Sequence, residues 1–112
     1  MAGITTHVLD TSVGRPAEGV PVVLELLDDD GWTQVGSGST DADGRLADLL
    51  PAERVEAATY QLRFDTTAYF GSRGVLGFYP EIAIRFRVID AGAHHHVPLL
   101  LSAFGYSTYR GS

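Results

Sequence analysis

Ile82-Ala83-Ile84-Arg85-Phe86-Arg87-Val88-Ile89 decides the fold class of this chain. Ile82, Ile84, Phe86 and Val88 alternate with Ala83, Arg85, Arg87 and Ile89, and a period of two puts successive side chains on opposite faces of a strand. One face can pack while the other carries two arginines into water. With the preceding Phe78-Tyr79-Pro80-Glu81, the segment predicts a long strand from Phe78 to Ile89.

The same alternation recurs outward from it. Ile4, Thr6 and Val8 alternate with Thr5, His7 and Leu9, and Val20 to Leu27 is an apolar run broken on one face by Glu25. Tyr60 to Phe64 and His94 to Leu101 read as further strands, and Tyr106-Ser107-Thr108-Tyr109 as a last one after a tight corner. Turn chemistry separates these runs: Gly14-Arg15-Pro16, Asp28-Asp29-Asp30-Gly31 and Asp41-Ala42-Asp43-Gly44. The three aspartates at 28–30 read as a solvated hairpin tip. Short strands at such spacing predict an all-β fold, an antiparallel β-sandwich of seven to eight strands. One segment departs from the pattern. Thr66 to Phe70 follows Asp65, a good N-cap, and runs out near Gly71 and Gly74, so one short helix is expected there.

Composition bounds the function. The 112 residues make one domain, residues 1–112, large enough for a single core without staples. No cysteine is available for a disulfide or a thiolate metal site, and the absence of asparagine excludes N-glycosylation. All eight basic residues are scattered arginines against fourteen acidic ones, a net charge of −6 that argues against a nucleic-acid partner. No apolar run reaches the roughly 20 residues of a membrane span. The start of the chain lacks the basic and apolar regions of a signal peptide, so a cytoplasmic location is expected.

Few residues offer chemistry. In a strand, His94 and His96 share a face and His95 takes the other; with His7 the pair could bind a metal, or it could be a polar strand start with exposed imidazoles. Asp41-Ala42-Asp43-Gly44 has a superficial likeness to a calcium loop, but the twelfth position counted from Ser39 is Leu50, and a turn opening into Arg45 explains it better. There is no Cys, no Lys and no Ser in a nucleophile-elbow setting. Hydrolysis here would have to be water-mediated, with histidine handling protons near its own pKa.

Ile4-Thr5-Thr6-His7-Val8-Leu9-Asp10-Thr11, Gly14-Arg15-Pro16-Ala17 and Asp41-Ala42-Asp43-Gly44-Arg45 together resemble the 5-hydroxyisourate hydrolases, transthyretin-related enzymes of urate breakdown. So do Phe78-Tyr79-Pro80-Glu81-Ile82, His96-Val97-Pro98-Leu99-Leu100-Leu101-Ser102 and the closing Tyr109-Arg110-Gly111-Ser112. The resemblance spans residues 4 to 112. The hormone carriers of the same fold lack the enzyme's residues at the positions of His7, Arg45 and His96, and replace Tyr-Arg-Gly-Ser with an apolar segment. Two departures from the enzyme pattern stand out: His95 where tyrosine is common, and Ala103-Phe104 where proline precedes an aromatic residue.

The resemblance implies a transthyretin-like sandwich of two four-stranded sheets with the short helix after the fifth strand. It implies a homotetramer, a dimer of dimers, with active sites across the dimer–dimer interface, no cofactor or metal, and neither nucleic acid nor membrane as partner. It implies hydrolytic opening of 5-hydroxyisourate at the N1–C6 amide, giving a carboxylated ureidoimidazoline. His7, Arg45 and His96 would be catalytic, with the division of acid and base between the histidines left open. Tyr109, Arg110, Gly111 and Ser112 would close over substrate at the end of the chain, unless Arg110 serves instead as an interface ion-pair partner. A small-molecule carrier and a sandwich-type interaction module are the competing readings. Strand parity agrees with the catalytic assignment: a face carrying His7 leaves Ile4, Thr6 and Val8 for the core, and one carrying His96 leaves Val97, Leu99 and Leu101.

Overall fold

The computed structural model of the protein describes residues 3–111. Nine extended segments run through them: β1 (Gly3–Asp10), β2 (Arg15–Pro16), β3 (Pro21–Asp28), β4 (Gly31–Ser39), β5 (Arg45–Leu50), β6 (Ala58–Phe64), β7 (Ile82–Val88), β8 (His94–Leu101) and β9 (Tyr106–Thr108). A single α-helix, α1 (Thr66–Gly71), follows β6, and a 3-10 turn occupies Ala52–Arg54. Leaving aside the two-residue β2, the strands number eight and the helix follows the fifth, as expected. Asp65 caps it, its side chain accepting the Ala68 N–H at 3.0 Å.

The strands form two sheets. One runs β2-β1-β8-β9, with β5 also paired to β1; the other runs β4-β3-β6-β7. The expectation of an antiparallel sandwich needs one correction: β1 and β8 are parallel over their whole length, from Gly3 beside His94 to Asp10 beside Leu101. The chain from Thr11 to Ala93 passes through the other sheet in between. That excursion is the long crossover a parallel pair requires.

A second correction concerns the segment that decides the fold class. Regular pairing begins only at Ile82, opposite Phe64. Phe78 to Glu81 is a loop, because Pro80 has no N–H for a ladder. The loop is held instead by the Thr66 hydroxyl on the Tyr79 carbonyl, the Thr67 hydroxyl on the Pro80 carbonyl, and the Phe78 N–H on the Ala103 carbonyl.

The inner faces carry what parity requires. Ile4 and Val8 of β1, Leu24 of β3, Leu62 and Phe64 of β6, and Leu99 and Leu101 of β8 are all completely buried. Each such side chain contributes about 1.5–3 kcal/mol relative to leaving it in water. Thr6, also inward, donates its hydroxyl to the Val97 carbonyl at 2.6 Å and so avoids an unpaired buried group. Asp10 is a buried carboxylate at the end of β1; it accepts from the Tyr69 hydroxyl at 2.8 Å and from the N–H and hydroxyl of Ser12. Burial, then that bond to Asp10, pushes the Tyr69 phenol up to about 12. The hairpin tip at 28–30 is solvated as expected, with Asp28 accepting from the Asp30 N–H and the Thr33 hydroxyl.

Candidate active site

The outer face of β1 is the foundation of the site, because β1 lies between β5 and β8. Thr5 and His7, two residues apart, point outward together while Ile4, Thr6 and Val8 are buried. On one side His7 stands opposite Arg45 in the antiparallel ladder. On the other, Thr5 stands beside His96 in the parallel one. Three strands distant in sequence thus deliver His7, Arg45 and His96 to one face.

The turn before Arg45 is built for that placement. Asp41 accepts the N–H groups of both Asp43 and Arg45 on one carboxylate oxygen, and its own N–H bonds the Arg45 carbonyl. Both bonds fall on Oδ1 of Asp41 and tie that oxygen into a turn that opens β5, as the sequence reading expects. Gly44 has φ +76°, a left-handed conformation, and its carbonyl accepts the Val8 N–H at 2.7 Å. A Cβ there would collide with the Val8 carbonyl oxygen. The turn is thereby pressed onto β1, and the Asp43 carbonyl lies 2.9 Å from Nε2 of His7. A carbonyl only accepts, so Nε2 of His7 carries hydrogen and exchange with a ligand falls to Nδ1. Arg45 itself is exposed, and its guanidinium pairs with no carboxylate among the described residues.

His94 and His96 do share a face, with ring centroids 6.1 Å apart, but they are not free imidazoles at a strand start. The Thr5 hydroxyl lies 2.9 Å from Nε2 of His94 and 2.8 Å from Nδ1 of His96. Nε2 of His96 has no hydrogen-bond partner among the described residues. Partial burial, then the positive fields of His94, His7 and Arg45, hold the His96 imidazole below the ordinary histidine range. No three His, Cys, Asp or Glu side chains among the described residues are grouped to hold a metal ion. His95 points the other way, is buried, and bonds the Ala93 carbonyl through Nδ1.

The end of the chain divides. Gly111 returns to β8, its N–H donating to the His96 carbonyl at 2.8 Å. It lies so close that a Cβ would sit 2.6 Å from Cδ2 of the His96 ring. Only glycine leaves that ring where it is. Tyr109 and Arg110 instead line a cavity of about 330 Å³ on the His95 side of β8, with Ile84 and Phe86 of β7. Arg110 also donates to the His94 carbonyl at 3.3 Å. Of the four closing residues expected at the site, Gly111 therefore touches it directly, while Ser112 lies outside the described residues.

A profile of the HIUase/transthyretin family matches residues 4–111. The chain belongs to this family. Within the HIUase/transthyretin family, the chain is 48% identical to the 5-hydroxyisourate hydrolase of Salmonella dublin over 109 residues, which is 97% of this chain and 80% of the relative. Among solved structures, the transthyretin of Sparus aurata superposes with a TM-score of 0.93 at 31% identity, covering 99% of this chain and 97% of that one. The 5-hydroxyisourate hydrolase of Klebsiella pneumoniae superposes with a TM-score of 0.87 at 36% identity over the whole of both chains. Backbone shape alone thus fits both a transthyretin and a 5-hydroxyisourate hydrolase of the family.

Two members of that face were not singled out for catalysis from sequence. Thr5 shares the parity of His7, which was legible, but its bridging of two histidines depends on the parallel register of β1 and β8. The Asp43 carbonyl is a backbone group whose position follows from the Gly44 turn, and residue types carry no sign of it.

Proposed function

We propose that this protein hydrolyses 5-hydroxyisourate, opening its ring at the N1–C6 amide to give the carboxylated ureidoimidazoline. The observation that carries the reading is the convergence of His7, Arg45 and His96 from three strands onto one outer face. The 5-hydroxyisourate hydrolase relatives support it. His96 is the base: its lowered pKa keeps it neutral near neutral pH, and Nε2 offers a lone pair to water. Arg45, without a carboxylate partner, receives the carbonyl oxygen as charge builds on it. His7 serves the departing nitrogen through Nδ1, which takes up a proton from solvent and passes it on while Nε2–H stays bonded to the Asp43 carbonyl. Gly111 keeps the wall over His96 thin enough for the flat substrate, while Tyr109 and Arg110 face the cavity on the His95 side of β8. The reaction needs neither metal nor organic cofactor.

The working form is a homotetramer, a dimer of dimers whose facing subunits enclose each site. Two features support assembly. β7 and β9 are the outermost strands of their sheets on one side of the sandwich, and both flank the same cavity. Unpaired edges of this kind call for a covering strand.

Generating 5-hydroxyisourate in place with a urate oxidase and following its ultraviolet decay tests the reading. Wild type accelerates the decay, Arg45→Ala lowers kcat/KM on the order of 10²–10³, and His7→Ala and His96→Ala lose most of the acceleration. A folded wild type that leaves the spontaneous rate unchanged would place the chain with the carriers.

A further inference from the structure

Thr5 touches two imidazoles with one hydroxyl: 2.9 Å to Nε2 of His94 and 2.8 Å to Nδ1 of His96. A hydroxyl has one proton to give and lone pairs to accept with. It can serve at most one nitrogen as donor, so at least one of the two rings must donate to it. The protonation of His94 and that of His96 are therefore linked through a single atom. We propose that His96, Thr5 and His94 form a proton relay, in which Thr5 and His94 act as positioning and proton-storing residues for His96. The proposal rests on the hydrolase reading above and adds to it two residues that do not touch substrate.

In the resting state Nδ1–H of His96 donates to Thr5, and the Thr5 hydroxyl donates to Nε2 of His94. This order leaves the lone pair of His96 on Nε2, the atom with no partner among the described residues. Hydrogen bonds aligned in one direction polarise each other, which raises the basicity of that nitrogen. When Nε2 takes a proton from the attacking water, Nδ1–H passes its proton to the Thr5 oxygen, and Thr5 passes its own to Nε2 of His94. Three N–H or O–H bonds break and three form, with no change in electron count. The water oxygen bonds the carbonyl carbon, His96 ends neutral, and His94 ends as the imidazolium.

The direction of transfer follows from the surroundings. His96 is flanked by His7 on β1, by Arg45 on β5 and by His94 on its own strand, a crowded place for a positive charge. His94 lies beside Gly3, farther along β1 from His7 and Arg45 than His96, which lies beside Thr5. Arg110, whose guanidinium donates to the His94 carbonyl at 3.3 Å, is a cation that opposes the transfer from that end. After product leaves, the shifts run backwards and Nε2 of His96 releases its proton to solvent, which balances the one that reached the departing nitrogen through His7.

The experiment combines imidazole ¹⁵N spectra of the full-length resting protein with turnover. In wild type the spectra show His96 protonated on Nδ1 and His94 accepting at Nε2. Thr5→Val keeps the shape, loses the hydroxyl, and lets His96 change tautomer; Thr5→Ser restores the wild-type pattern. With 5-hydroxyisourate as substrate, Thr5→Val lowers kcat on the order of 10–10² with KM within about twofold, and Thr5→Ser recovers most of it. His94→Gln, which can bond Thr5 but cannot store a proton, also lowers kcat and flattens the acid limb of the pH profile. A His96 spectrum unchanged in Thr5→Val, or His94→Gln at wild-type kcat, overturns the relay. If wild type does not hydrolyse 5-hydroxyisourate, the hydrolase reading falls separately, and the spectra alone decide whether the hydrogen-bonded chain exists.

Discussion

His96 concentrates the chemistry at the residue scale, and its environment makes a pH prediction. Its folded pKa lies below the ordinary histidine value of about 6.5 because the ring is partly buried beside His94, His7 and Arg45. A base must be unprotonated to act, so kcat/KM rises with pH through an apparent pKa below that value and levels off near neutrality. Stability follows the same sign. The unfolded chain binds the proton that the folded ring resists, so stability falls as pH drops from about 6.5 toward the folded value. A pH–rate profile checks the first statement, and denaturation midpoints of wild type and His96→Gln at several pH values check the second. An acid limb centred above the ordinary value would contradict both. In sequence this site was legible through the family resemblance, since His7, Arg45 and His96 by themselves are scattered polar residues on strands; parity only agreed with it, by leaving the core to their apolar neighbours. The tautomers were not. They depend on the Asp43 carbonyl and the Thr5 hydroxyl, whose positions come from a turn and a parallel register.

At the scale of elements, the Asp41–Gly44 turn couples stability to the site. Gly44 is left-handed at φ +76° and abuts the Val8 carbonyl, and the turn it closes carries both the Asp43 contact to His7 and the start of β5 at Arg45. Gly44→Ala is expected to cost about 1–3 kcal/mol in backbone strain, and more if the Val8 contact does not relax. It should also lower kcat by moving Asp43 away from His7. Chemical denaturation and turnover of the same preparation measure the two effects, and an unchanged midpoint with unchanged kcat would refute the coupling. Elements were the most readable level of the sequence. Period-two runs predicted β8 with its observed limits, and the Asp65 cap predicted α1. The misreadings have local causes. Aromatic residues before Pro80 imitate a strand, but proline and side-chain bonds from Thr66 and Thr67 hold that segment as a loop. The parallel pairing of β1 with β8 leaves no mark on either strand's alternation, because parity is the same in both directions.

For the whole molecule, the side of the sandwich that carries β7 and β9 is unfinished. Phe78 is 67% exposed and Phe104 76%. Phe78 meets Tyr79 edge to face at 4.9 Å, Tyr79 meets Tyr106 at 5.3 Å, and the Phe78 N–H ties this aromatic group to the corner that presents Phe104. The opposite side differs: there Gly36 of β4 comes so close to the Leu49 carbonyl of β5 that no side chain fits between the sheets. An open edge lined with exposed aromatics, in a chain whose net charge of −6 otherwise favours solubility, fits a surface that another copy covers. A tetramer would then join edge pairing on this side to facing contact over the outer sheet of His7, Arg45 and His96. Light scattering should give wild type four times the chain mass of 12.0 kDa. Phe78→Arg places a charge on the aromatic patch without touching the core, so its far-UV spectrum should match wild type while its mass falls. If the sites are enclosed by facing subunits, kcat/KM falls with the mass and recovers as protein concentration rises. A Phe78→Arg protein that is lighter yet fully active at every concentration would mean that a single chain builds the whole site.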